Sequence, residues 1–217
     1  AEDGIRDRDV TGVQTCALPI FCYTGTGSAT TQAHNLGVVP ELMIVKERSA
    51  ANNWWVYDST DGNTKYSVLN STATPVTSST AWNNTTPTSS VFSIGTAANG
   101  NASAQTYVAY LFATLAGISK VGSYTGNGSS QTINCGFAAG ARFILIKRTD
   151  STGDWYVWDS ARGIVSGNDP HLSLNTTAAE VTTDDSIDPD STGFIVNQVS
   201  ATNINVNAAT YIYLAIA

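Results

Sequence analysis

Short apolar runs, each closed by a charge or a turn residue, recur along the chain from residue 21 onward. Leu42-Met-Ile-Val-Lys46 and Phe143-Ile-Leu-Ile-Lys147 are continuous apolar stretches of strand length. They predict central strands of a sandwich. Trp54-Trp-Val-Tyr-Asp-Ser59 and Trp155-Tyr-Val-Trp-Asp-Ser160 are dense in strand formers and run into the turns STDGN and SARGI. SVFSIG and GFIVNQ read as further strands, and TYVAYLFA and TYIYLAIA close the two halves. YLFATLAGI by itself could be read as a helix, but its counterpart TYIYLAIA is rich in β-favouring residues.

These runs come in pairs. Tyr23-Thr-Gly-Thr-Gly-Ser returns as Tyr124-Thr-Gly-Asn-Gly-Ser, and the apolar and tryptophan strands return at the same offset. Leu69-Asn-Ser-Thr-Ala73 matches Leu174-Asn-Thr-Thr-Ala178 after a small insertion. Two repeats follow, residues 21–113 and 121–217, joined by 114–120. A period this long suits tandem domains better than a solenoid. The fold class expected is all-β: two tandem antiparallel β-sandwich-like repeats. The alternative is one sandwich formed jointly by both.

Composition narrows the function. The chain has 217 residues, few charges and a net charge of −7. That balance argues against nucleic acid, whose affinity is carried by Lys and Arg. No apolar run approaches the length of a membrane helix, so no membrane insertion is expected. Cys22 and Cys135 read as small buried or strand-edge thiols rather than a disulfide. The N-x-S/T triplets at Asn70, Asn101 and Asn175 are expected by chance in so Ser/Thr-rich a chain.

No catalytic constellation is legible. The two histidines, His34 and His171, have no metal-ligand spacing to each other or to a cysteine. YTGTGS and YTGNGS read as tight turns, because no helix follows them. Asp184, Asp185, Asp188 and Asp190 are the calcium candidates, with Asp188 and Asp190 flanking Pro189. The first repeat has STAWNNTTPTSSVF in that place, with no carboxylate, so a solvated polar turn is the expectation and no metal or other cofactor is assigned. Asp184 with Asp188 as a glycosidase pair is set aside, because a loop so polar is a poor place to raise a carboxyl pKa.

The binding candidates are the aromatic strands: Trp54 and Tyr57, Trp155 and Trp158, with Arg162 beyond the second. Alternation puts rings on both faces of each strand. Core filling is the favoured role, with one ring per repeat expected to be partly exposed and able to stack on a sugar. Asp58 and Asp159 should accept turn amides. Arg162 can pair with Asp159, whereas the first repeat has Asp61 there. Lys46 and Lys147 read as solubilising strand ends.

Taken together, Y-T-G-x-G, FILIKR, W-x-V-x-D-S-x-R-G, L-x-L-N-T-T-A-A-E-V-T, D-x-x-G-F and T-Y-I-x-L-A resemble a β-rich module repeated in tail and tail-fibre proteins of marine and other environmental bacteriophages. The second repeat carries the pattern at Trp155–Gly163, Leu172–Thr182, Ser191–Phe194 and Asn205–Ala217, while the first diverges at Asp61. The resemblance implies a non-enzymatic virion component, made in the host cytoplasm and located in the tail. Its implied partners are itself (as a homotrimer), other tail proteins and a cell-surface glycan. The alternative is a carbohydrate-binding module from a secreted glycoside hydrolase.

Residues 1–20 are unlike the rest. Back-translated, AEDGIRD and VTGVQTCALPI resemble the two constant parts of a widely used short-read library adapter, with Arg8 and Asp9 in place of its index. They are therefore expected to be translated adapter DNA, and the chain a metagenomic fragment that starts inside a gene. They hold two of the basic and four of the acidic residues, so the remainder carries −5.

Overall fold

The computed structural model describes residues 20–217, so the adapter reading falls outside the described residues except at Ile20. The first repeat forms β1 (Ile20–Thr24), β2 (Thr30–Ala33), β3 (Leu42–Glu47), β4 (Trp55–Asp58), β5 (Lys65–Val68), β6 (Val76–Thr77), β7 (Val91–Ile94), a single helical turn α1 (Ala98–Asn101) and β8 (Thr106–Phe112). The second forms β9 (Ser119–Thr125), β10 (Gln131–Asn134), β11 (Phe143–Arg148), β12 (Trp155–Asp159), β13 (Leu172–Ser173), β14 (Ile187–Asp190), β15 (Gly193–Val196) and β16 (Thr210–Ile216). The fold is all-β and antiparallel. Residues 110–112 lie in β8, not in a helix. β9 begins at Ser119, within the stretch read as a joint.

The two repeats build the same sheets. Order β1-β8-β3-β4-β5 in the first, extended by β6, matches β9-β16-β11-β12-β13 in the second. A small sheet covers one face of each: β2-β7 in the first repeat, β10-β15-β14 in the second. Side-chain alternation then fills two sandwich cores. Met43, Val45, Tyr57, Phe92 and Leu111 belong to the first core, and Ile144, Ile146, Trp158, Phe194 and Tyr213 to the second.

The other faces of the large sheets are not left to water. Leu42 and Val56 of the first repeat pack with Val121, Leu145, Trp155, Val157, Ile212 and Leu214 of the second. The large sheets thus lie back to back, and the molecule is four β layers thick. This explains the continuous apolar runs: strands β3 and β11 are buried on both faces, where alternation with polar residues is not possible. It also corrects the reading of Lys147 as a solubilising end. Lys147 is fully buried, donates to the carbonyls of Gly153 (2.5 Å) and of Thr72 in the first repeat (2.9 Å), and lies 6.0 Å from the Trp155 ring. Burial lowers its pKa to about 8. Lys46, its counterpart, is half-buried and clips only its own loop, at Ala50 (2.9 Å).

The YTG-x-G-S motif is a tight turn held by a buried asparagine. Asn101 accepts from Thr26 N (2.8 Å) and donates to Gly95 O (2.7 Å). Asn205 accepts from Asn127 N (3.0 Å) and donates to Val196 O (3.1 Å) and to Ser129 O. A Cβ on Gly25 or Gly126 would fall 2.2 Å from the carbonyl oxygen of Ala102 or Val206, so neither position admits a side chain. Stacked tyrosines brace each turn, Tyr23 on Tyr107 and Tyr124 on Tyr211. Cys22 is exposed and Cys135 buried, and both are free thiols.

Candidate functional site

Most of the aromatic candidates are unavailable to a ligand. Tyr57 and Trp158 lie in the two sandwich cores, and Trp155 lies in the layer between the large sheets with its indole N–H on Val68 O (2.9 Å). The expectation of one partly exposed ring per repeat is thereby corrected for the second repeat. Its strand is covered on both sides, and only Trp54 of the candidates is half-buried. Arg162 is exposed and pairs with Asp159 and with Glu180 (2.9 Å). Asp58 and Asp159 do accept turn amides, from Asp61 N (2.9 Å) and from Ala161 N and Arg162 N (3.0 and 2.9 Å). They differ electrostatically. Burial beside Asp61 raises Asp58 to about 6, whereas Arg162 holds Asp159 below the usual range.

The second half of the acidic segment is a strand rather than a solvated turn, with Asp184 and Asp185 in the irregular stretch before it. Ile187 is fully buried and anchors β14, whose Pro189 is tolerated because β14 is an edge strand. Its four aspartates diverge. Asp190 accepts from Thr192, Asp185 and Asp188 share the amide of Asn197 (3.0 and 2.8 Å), and Asp184 turns inward. Among the described residues no three His, Cys, Asp or Glu side chains are grouped to hold a metal.

Inward of β14 the repeats differ most. In the first repeat Trp82 packs edge-on against Trp55 and Tyr57 (6.3 and 5.9 Å). Asp184 stands as far ahead of Phe194 as Trp82 does ahead of Phe92. In the second repeat His171 meets the corresponding rings, Tyr156 and Trp158, both at 5.3 Å, and pairs with Asp184 at 3.4 Å. A buried polar pair thus occupies the place of an indole. From Asp184 a hydroxyl chain runs outward through Ser186 (3.1 Å) to Thr202 (2.8 Å). Asp169, fully buried and accepting from Ile187 N (2.8 Å), is raised by that burial to about 7.

Thr202 lines a surface cavity of about 250 Å³. Tyr156 of β12, Arg148 of β11 and Asp154 of the loop between them line it, and Thr72 borders it from the first repeat. Arg148 makes a double hydrogen bond to Asp150 (2.9 and 3.1 Å), which neutralises its charge. Asp154 accepts from Asn175 (2.7 Å). The Tyr156 hydroxyl makes a long bond to Ala201 O (3.4 Å). Burial and the Asp154 carboxylate hold its pKa well above the ordinary phenol range, so it remains an O–H donor. Neutral hydroxyls, an anchored cation and one carboxylate make this a hydrogen-bonding site with no activated nucleophile.

The model of one family, described as a domain of unknown function (DUF7483), matches residues 2–217. The chain belongs to the DUF7483 family. The matched stretch includes the residues with the adapter correspondence. No curated protein and no solved structure matches the chain.

Of the cavity residues, Tyr156 belongs to the aromatic strand motif legible in the sequence, but it is not among the binding candidates read there. The available signal lay in the differences between repeats: at their shared offset, Arg148, Asp154 and Tyr156 stand where the first repeat has Glu47, Asn53 and Trp55.

The two raised carboxyls give a pH prediction. Unfolded, both titrate near 3.9. Their stabilising contribution is therefore complete below that pH and lost as pH rises through about 6 for Asp58 and about 7 for Asp169. Burial lowers His34, which opposes this below its ordinary pKa. Asp169→Asn should accordingly raise Tm at pH 8 and leave it nearly unchanged at pH 4, as measured by thermal unfolding across that range. An equal shift at both pH values would show that Asp169 is not held protonated.

Proposed function

We propose that this DUF7483 protein is a non-enzymatic segment of a bacteriophage tail or tail fibre. It acts as a structural spacer and as a host-surface adhesin for glycan. The carrying observation is the third core layer, which fuses two sandwiches into one block four sheets thick. Such a block cannot hinge between its repeats without exposing apolar surface, a property suited to a rigid tail element. The module pattern of the second repeat supports the phage origin, and the polar cavity supports adhesion. Assembly as a homotrimer with other tail proteins, in the virion, is part of the proposal.

The test is recovery of the gene from adapter-trimmed reads. Neighbouring virion genes are expected, with residues 1–20 replaced by other sequence. A secretion signal and a glycosidase domain in the same gene would overturn the tail reading in favour of a carbohydrate-binding module. Recovery of residues 1–20 unchanged from adapter-free reads would overturn the adapter reading.

A further inference from the structure

We infer that the cavity beside β12 binds one neutral sugar ring, at the seam where the second repeat meets Thr72 of the first. This deepens the adhesion reading above and rests on it. Size sets the first limit: about 250 Å³ lies just below the roughly 300–1,000 Å³ of drug-sized sites, enough for a single ring. Charge sets the second. Arg148 is already engaged by Asp150, so the site offers an anion little, and Asp154 repels one. What remains suits an uncharged polyol. Asp154 accepts hydroxyl protons, with lone pairs beyond the one used by Asn175. The hydroxyls of Tyr156 and Thr152 both donate and accept, whereas Thr202, whose proton goes to Ser186, only accepts.

The duplication supplies an internal comparison. In the first repeat the corresponding Trp55 stacks on Tyr66 at 4.3 Å, and Glu47 is consumed by Ser49 and Asn52 (3.1 and 2.5 Å). In the second repeat a phenol replaces the indole, and a hydroxyl chain from Asp184 backs Thr202 through Ser186. That chain fixes the Thr202 hydroxyl, so the site is ordered before a ligand arrives.

The experiment is an NMR titration of the full chain with glucose, galactose, mannose and N-acetylglucosamine, with glucuronate as the charged control. A glycan array is run on the same protein. Two variants isolate the cavity. Asp154→Asn keeps the loop clip, because Asn53 already accepts from Asn70 in the first repeat (3.0 Å). Thr152→Trp fills the mouth from an exposed position. At least one neutral sugar should bind with a Kd on the order of millimolar, as expected for roughly a dozen heavy atoms. Shifts should centre on Asp154, Tyr156 and Thr202. Asp154→Asn should weaken binding about tenfold and Thr152→Trp should abolish it, with Tm unchanged in both. Array binding that both variants retain would overturn the cavity while leaving adhesion standing. Preference for glucuronate would overturn neutral-sugar recognition. No binding of any glycan or sugar would overturn adhesion and the cavity together, leaving the tail reading to the gene neighbourhood.

Discussion

Trp155→Ala should destabilise the protein by about 3–5 kcal/mol, the range for emptying a buried tryptophan site. The equivalent change in the first repeat, Trp54→Ala, should cost less than about 1 kcal/mol, because that ring is half-buried. The two residues hold the same place in the repeat motif, so sequence alone gives no reason for the difference. It comes from packing. Trp155 lies between the large sheets with Leu145, Val157 and Leu214, and donates to Val68 O across the repeat boundary. Denaturant unfolding of both variants checks this. Because the layer is shared, the wild type should unfold in one transition. Equal losses for the two variants, or two transitions in the wild type, would mean that the repeats are tethered rather than fused.

Asn205→Ala should cost about 3 kcal/mol and lower Tm by roughly 10 °C. Asn205 is fully buried, and the change strands Val196 O, Ser129 O and Asn127 N together. Val196 O, the buried one of the three, costs about 1–3 kcal/mol when left unpaired, and the part-buried Ser129 O and Asn127 N add less. Asn205→Asp should be worse above pH 5, since it removes the donors and buries a charge. Asn101→Ala should match it in the first repeat, where the amide bonds Gly95 O and Ser28 O. Thermal unfolding of the set is sufficient. A loss below about 1 kcal/mol would show that water replaces the amide, and that the YTG-x-G turn holds itself.

The sequence by itself determined the all-β class, the duplication and the identity of most strands. Those features are local: period, strand length and turn residues are written in neighbouring positions, and a repeat can be read without coordinates. It also placed the turn-capping roles of Asp58 and Asp159, since an Asx side chain reaches amides only two or three residues away.

Tertiary structure decided everything that depends on what covers a face. Lys147 and Trp155 are buried only because the first repeat lies over them, and no local pattern encodes which face of β11 or β12 another sheet will take. The same holds for the acidic segment. Ile187 anchors its second half in an edge strand, and Asp184, in the stretch before it, turns inward to His171, a partner thirteen residues back along the chain. The cavity gathers Thr72, Arg148, Asp154 and Thr202 from distant segments. Its chemistry exists only once the loop carrying Thr202 packs beside the 148–156 stretch, with Thr72 of the first repeat at its border.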